Sequence, residues 1–323
     1  MKKRLFHYVI ILLVVIAVNF FIPRALPGSP IRSLVADEDI VEMTAEKKMG
    51  ILEAYHLTDP LYKQFGYYIR DLFTLNWGTS FSKRLPIAQL MRSAAKWTLL
   101  LSGITMILSV FTGSLIGAYS ALHRKKGRDL GMVLGTTFIS SIPSFWIAIL
   151  LLAVFSAKLG WFPAYGAYSM WSKAEGFAKV LDVAWHMVLP VIALVITSLM
   201  PYFTTSRYSV LKTISSDYVR MARFRGIPEK KINVGYIMRN ALVPVFTMLM
   251  MDIGYLLSGS VLVETVFSFP GLGVLMRDAV SARDYPLIQY TFLVSSVLTI
   301  AALFAADVLY HKIDPSLEES YEK

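Results

Sequence analysis

The sequence predicts an all-α polytopic membrane protein with six transmembrane helices, on three observations. First, 55% of the 323 residues are hydrophobic and only 17% are charged, with a mean hydropathy of +0.55. A soluble domain holds roughly 45–50% apolar and about 25% charged residues. Second, six stretches approach or exceed the ~20 apolar residues that cross a bilayer core: about 5–23, 98–122, 131–157, 185–205, 241–267 and 287–311. Third, lysine and arginine gather in alternate connections, as they do on the cytoplasmic side of a membrane.

The first stretch, LFHYVIILLVVIAVNFFIP after MKKR, is long for a signal-peptide core. No small-residue cleavage pattern follows it, so it is expected to remain as span 1. Lys2, Lys3 and Arg4 precede it. Arg124, Lys125, Lys126 and Arg128 follow span 2, and eight cations from Arg207 to Arg239 follow span 4. Both termini are therefore expected in the cytoplasm. The net charge of +10 is a topology signal, with lipid rather than nucleic acid as the implied partner. There are no cysteines, and the five histidines are scattered without metal-ligand spacing, which removes disulfide, thiolate and Cys-ligated metal chemistry.

Residues 24–96 form the largest soluble piece. LPGSPIRSL marks a Pro/Gly turn at the membrane exit, and TAEKKMGILEAYHL (44–57) predicts a short amphipathic helix. DPLYKQFGYYIRDLFTL (59–75) predicts another, with Leu61, Phe65, Tyr68, Ile69 and Leu72 at helical spacing. A lid over the bundle and a docking surface both fit this segment. In span 2, Gly113 and Gly117 form a small-xxx-small packing pattern. In span 3, SSIPSFW places Pro143 beside Ser144 and predicts a kink, either static or at a moving interface. Asp252 in span 5 and Asp307 in span 6 are acids at membrane depth. Each fits an aqueous path, a subunit contact or a hydrogen-bonded packing pair.

The loop 206–240 breaks the apolar pattern with DYVRMARFRGIPEKK. Ser215, Ser216 and Asp217 are candidate caps for a helix starting near Tyr218. Tyr218, Met221, Ala222 and Arg225 fall on one face, with Arg220 and Arg223 on another. Gly226 suits the residue that ends the helix, and Pro228 the first turn of the next. A capped, stopped and restarted loop is stiff, which suits a lever for a cytoplasmic partner. A basic loop resting on anionic lipid would need only the charge.

Asp217-Tyr218-Val219-Arg220, Ala222-Arg223 and Gly226, followed by Arg239-Asn240-Ala241-Leu242-Val243-Pro244, resemble the cytoplasmic motif of ABC-importer permeases. The closest likeness is to B-type permeases of the dipeptide/oligopeptide/nickel family. Arg220-Met221-Ala222 occupies the slot of the general E-A-A motif and departs from it. LPGSP, DPLYKQF, NWGTSF, SIPSFW, ETVFSFPGLG (264–273), DYPLIQ (284–289) and DPSLEE resemble further stretches of the same family, with Ser29 replacing an acid.

The resemblance implies a type I ABC importer permease fold. Residues 1–23 would be the tip and first helix, 24–96 an extracytoplasmic segment, 97–311 a five-helix core and 312–323 a cytoplasmic tail. It implies half of a translocation pore, shared with a paralogous C-type permease, in the bacterial cytoplasmic membrane. Two cytoplasmic ATPases would bind 215–230 through Asp217, Tyr218, Arg220, Met221, Ala222, Arg223, Arg225 and Gly226. An extracytoplasmic solute-binding protein would deliver di- or oligopeptides, or alternatively nickel chelates. Asp252, Pro143 and Ser144 are candidate pore or interface residues. Glu264, Phe267, Pro270, Gly271 and Gly273 are candidates for outer docking or gating. With no G-x-x-x-x-G-K-[ST] phosphate loop, the chain is expected to be no enzyme and to bind no cofactor, ATP and Mg belonging to the partner ATPases. A secondary transporter would call for inverted repeats, and none is apparent.

Overall fold

The computed structural model describes residues 2–25, 44–54, 56–124, 127–169, 175–253 and 261–313. The LPGSP turn, Ser29 and the DPSLEE tail lie outside them. The described residues are overwhelmingly helical and fall into two compact units, Met1–Thr98 with Pro270–Ile300, and Leu99–Phe269 with Ala301–Lys323.

The first unit contains α1 (Lys2–Ala25), α2 (Ala45–Ala54), α3 (Leu61–Phe73), the start of α4 (Ile87–Leu122), α12 (Leu272–Ala282) and the start of α13 (Tyr285–Ile313). Both helices expected in the outer segment are present. On α3, Tyr68 is buried while Leu61 is exposed, so the inward stripe is narrower than the spacing suggested. Phe20 of α1 meets Phe65 edge-on at 5.1 Å and Tyr68 at 5.8 Å. Asp284, fully buried, ties NWGTSF to DYPLIQ. Its Oδ2 accepts from Ser80 Oγ at 2.6 Å and from Ser82 N and Oγ at 2.9 Å, while Oδ1 accepts from Leu287 N at the start of α13. A buried carboxylate with four donors is a satisfied structural group.

The second unit holds the rest of α4 and α5 (Arg128–Ser140), then α6 (Ser144–Leu151), which continues as a π-helical stretch Leu152–Lys158. There follow α7 (Gly176–Ile214), α8 (Asp217–Phe224) and α9 (Glu229–Lys231). A second π-helical stretch, Ile232–Met238, leads into α10 (Arg239–Ile253), and α11 is Val261–Val266. Among the described residues, four helices are long and apolar enough to span a membrane: α4, α7, the run Glu229–Asp252 and Tyr285–Ala305. Large apolar residues point outward from them, Ile107 and Phe111 being more than 60% exposed, as lipid or partner helices require.

Two expectations change here. Span 3 is a broken pair, Asp129–Ser140 and Ser144–Lys158, bent by 89° at Ser141–Pro143, where a simple kink was expected. Pro143 has no N–H to continue the first ladder and sits in extended backbone (φ −57°, ψ 140°) as the cap of α6. The apolar runs also understate helix length, because α4 begins at Ile87 and α7 at Gly176. The apolar part of α1, Phe6–Phe21, is shorter than those four helices.

Gly113 and Gly117 mark where α4 crosses α7. A Cβ at Gly113 would lie 2.6 Å from the Leu199 carbonyl, and one at Gly117 would lie 2.3 Å from the Phe203 carbonyl. Only hydrogen fits there, and the small residues let the backbones touch. Ser206 Oγ donates to the Ser114 carbonyl at 2.9 Å across the same seam. Below it, Arg207 of α7 forks onto Asp129 of α5, with Nε to Oδ1 at 2.8 Å and Nη2 to Oδ2 at 2.7 Å. Ser120 of α4 donates to Asp129 as well. The two charged side chains are 19% and 11% exposed, so this is a partly buried, bidentate pair.

Two predictions follow from this seam. Gly117→Leu should sharply lower the yield and melting temperature of the purified chain, whereas Gly103→Ala, where an added Cβ meets nothing within 4 Å, should leave both unchanged or slightly raised. Arg207→Met should cost about 3–5 kcal/mol by leaving Asp129 buried and unpaired, and adding Asp129→Leu should recover most of it. Unfolding of both variants in detergent checks this, and equal losses would show that the pair is not acting as a unit.

Candidate functional site

The cytoplasmic motif folds as helix, glycine turn and helix. Its start differs from the expected cap. Ser216 occupies the cap position with extended backbone (φ −71°, ψ 150°) but makes no side-chain cap bond. Its hydroxyl turns back to the Thr213 carbonyl at 2.6 Å, and Ser215 Oγ bonds the Lys212 carbonyl at 2.8 Å. Both serines thus satisfy the orphan carbonyls ending α7, the other use such hydroxyls have.

The end of α8 matches expectation. Gly226 has φ +70°. Its N–H reaches the Arg223 carbonyl at 2.9 Å and Ile227 N–H reaches the Ala222 carbonyl at 3.2 Å. These paired bonds form a Schellman motif, with Ile227 as its apolar partner. Pro228 then caps α9 (φ −57°, ψ 137°), one position before the expected first turn. Arg223 reaches over the turn to Glu229 at 2.9 Å, an exposed pair worth little on its own.

Packing divides the motif's residues. Val219 is fully buried and Ala222 is 3% exposed, in a cluster with Ala118, Val210, Ile232 and Ile237. Ala222 therefore faces the permease, apart from Tyr218, Met221 and Arg225, with which it was grouped. Tyr218 (44%), Met221 (54%) and Phe224 (78%) are exposed, alongside Asp217, Arg220, Arg223, Arg225 and Gly226. Phe224 was not singled out beforehand, although its place on the same helix as Tyr218 and Met221 was visible. An open groove of about 500 Å³ adjoins, lined by Pro228, Lys230, Lys231, Val234 and Gly235. What the arrangement offers is a short helix seated on one side and presenting aromatics, a methionine and cations on the other.

The remaining candidates lie elsewhere. Asp252 accepts a short hydrogen bond from Tyr202 of α7, so within this chain it is a partnered acid on a packed helix. Pro143 is exposed and Ser144 half-buried at the break before α6. Of Asp307 only the helical backbone is described. Glu264, Phe267, Gly271 and Gly273 are buried, leaving Pro270 alone of that group on the surface. The Phe267 carbonyl accepts from Gly166 N at 2.9 Å, and Glu264 is fully buried.

Residues 113–319 match the family described as "Binding-protein-dependent transport system inner membrane component". The chain is 37% identical over 320 residues to the glutathione transport system permease protein GsiC of Salmonella typhimurium (strain LT2), covering 98% of this chain and 97% of that one. It is 35% identical over 321 residues, with the same coverage, to GsiC of Escherichia coli (strain K12). The match includes α8 and its seat, and its function is that of a multi-pass inner-membrane permease subunit of a bacterial ABC importer, served by ATPase and solute-binding partners. The chain belongs to the binding-protein-dependent transport system inner membrane component family.

Proposed function

We propose that the chain is the B-type half of a peptide importer's pore, paired with a paralogous C-type permease, with both termini in the cytoplasm. In this reading α8 is the segment that enters a groove of a cytoplasmic ATPase. ATP and Mg stay in that partner, which carries out the hydrolysis. The observation that carries the reading is the two-sided α8, with Val219 and Ala222 locked into the permease and Tyr218, Met221 and Phe224 turned outward. A basic loop held by lipid charge alone has no need of that seat.

A peptide is the substrate class we favour, because the relatives of similar length are named glutathione permeases and glutathione is a tripeptide. Closure of the ATPase pair on ATP would displace α8, and the buried seat would carry the displacement into α7 and α10. The shift needs the ATPase to bind the two permease conformations with different free energies, about 5.5 kcal/mol for a swing from 1:99 to 99:1.

The test is reconstitution with the paired permease, ATPases and binding protein, followed by uptake of labelled tripeptide. Gly226→Val forces a β-branched residue to φ +70° and should cut uptake about tenfold or more while insertion is retained. Gly226→Asn, which tolerates that conformation, should keep most of it. Normal uptake by the valine variant would sink the lever. Phe224→Ala should weaken ATPase co-purification about tenfold, the range of an interface anchor, without moving the chain's melting temperature. Val219→Ala should do the reverse and lower the melting temperature first. If Phe224→Ala leaves assembly intact, that face is not the docking surface.

A further inference from the structure

The first unit contains a cavity of about 330 Å³ that the lever does not use. Its walls come from the end of α1, from α3, from the NWGTSF stretch and from the start of α13. Among the described residues, three buried side-chain atoms on these walls have no partner within hydrogen-bond distance: Trp77 Nε1, and the neighbouring Tyr68 Oη and Gln289 Nε2. Tyr68 is 5% and Gln289 6% exposed. Leaving a buried polar group unpaired is destabilising, so three around one cavity need a reason.

All three are donors. The indole and amide N–H groups can only donate. Burial, opposed by the neighbouring Gln289 amide and by Arg24, raises the Tyr68 phenol to about 12, so it keeps its proton at physiological pH. The fourth group is Arg24, whose Nε donates to Gln64 Oε1 and whose Nη1 donates to the Phe20 carbonyl, both at 2.9 Å. Its guanidinium lies 3.7 Å from the Phe20 ring centre. Gln64 is itself fixed by the Leu57 and Asp59 carbonyls. Among the described residues Arg24 has no ion pair, while the cavity's acid, Asp71, is held by Arg70 at 2.9 Å. The result is a rigid cation and three idle donors around a space within the size of small-ligand sites.

We propose that this cavity binds an oxyanion, the carboxylate of a small peptide solute, with Arg24 supplying the charge and Tyr68, Trp77 and Gln289 the directed hydrogen bonds. The inference deepens the peptide-importer reading and rests on it, since the basic-loop pattern puts this unit's cavity on the outer side. A solute released there would be held at the permease before passage.

The experiment uses the full chain in phosphatidylcholine nanodiscs, titrated calorimetrically with triglycine, triglycine amide and inorganic phosphate. Triglycine should bind saturably and the amide at least tenfold more weakly. Trp77→Phe should weaken triglycine about tenfold, as loss of a hydrogen bond to a charged group does, with an unchanged melting temperature. Arg24→Gln should abolish binding. Phosphate binding tighter than triglycine, or loss of triglycine binding when phosphatidylglycerol is added, would overturn the solute assignment in favour of a free anion or a lipid headgroup. No saturable binding would leave water as the occupant and overturn the site itself. ATPase recruitment by the same preparation is scored separately. A chain that recruits ATPases without binding triglycine loses only the cavity, and one that recruits none loses the importer reading.

Discussion

The touching of α4 and α7 at Gly113 and Gly117 is the constraint on which the second unit rests. In a bilayer no hydrophobic force draws one apolar helix to another, so fit and interhelical polar contacts decide which faces meet. With a Cβ only 2.3 Å from the Phe203 carbonyl, no other residue type can keep this crossing. Once it is set, the turns that follow have fixed neighbours. Ser120 and Arg207 converge on Asp129 from α4 and α7, and Ala118 and Ala121 meet Val210. That patch is what receives Val219 and Ala222. The short helix α8 thus takes its position from glycines about 1.5 and about 2.5 helical turns before the end of α4.

Buried polar groups in the molecule sort into two kinds. Asp284 has four donors and Asp129 has a forked arginine and a serine, so their desolvation is offset and they specify geometry. Tyr68, Trp77 and Gln289 belong to a second kind, with Asn19, Thr105 and others, whose donors find no acceptor within hydrogen-bond distance among the described residues. The contrast within the first unit gives the cavity its meaning, because NWGTSF and DYPLIQ contribute to both. Ser80 and Asp284 close the structure, while Trp77 and Gln289, a few residues away, leave donors open. One piece of chain builds the support and the recess it supports.

The sequence made the membrane class, the long apolar helices and the glycine stop legible because each depends on local chemistry. Hydropathy is additive along the chain, and glycine is the usual residue where a helix end needs positive φ, although Arg283 and Leu75 take it here. What it concealed depends on partners distant in sequence. Asp129 was passed over because its arginine lies 78 positions away and that arginine had been counted only for topology. Ala222 was grouped with Tyr218 by helical spacing, yet the Val210 and Ile232 side chains decide which face is inward. The serines before α8 had two sets of orphan groups within reach, and spacing gives no way to tell which they will take. The break at Pro143 was visible as a disruption, but its 89° angle is set by what α5 and α6 each pack against.

An eight-residue helix is a weak element alone, since isolated helices of that length do not persist in water. α8 can transmit force only if something other than its own hydrogen bonds holds it. The Arg223–Glu229 pair is solvent-exposed and screened, so it cannot be that restraint. Two buried side chains and the Schellman turn remain, and both join α8 to the run that becomes α10. That run is π-helical from Ile232 to Met238, a wider winding often found at functional sites. Its buried residues, Ile232 and Ile237, are the ones that complete the seat of α8. The over-wide turn therefore places two inward side chains beneath α8 that a regular α-helix would carry round to different faces. The irregular segment and α8 pack as one piece.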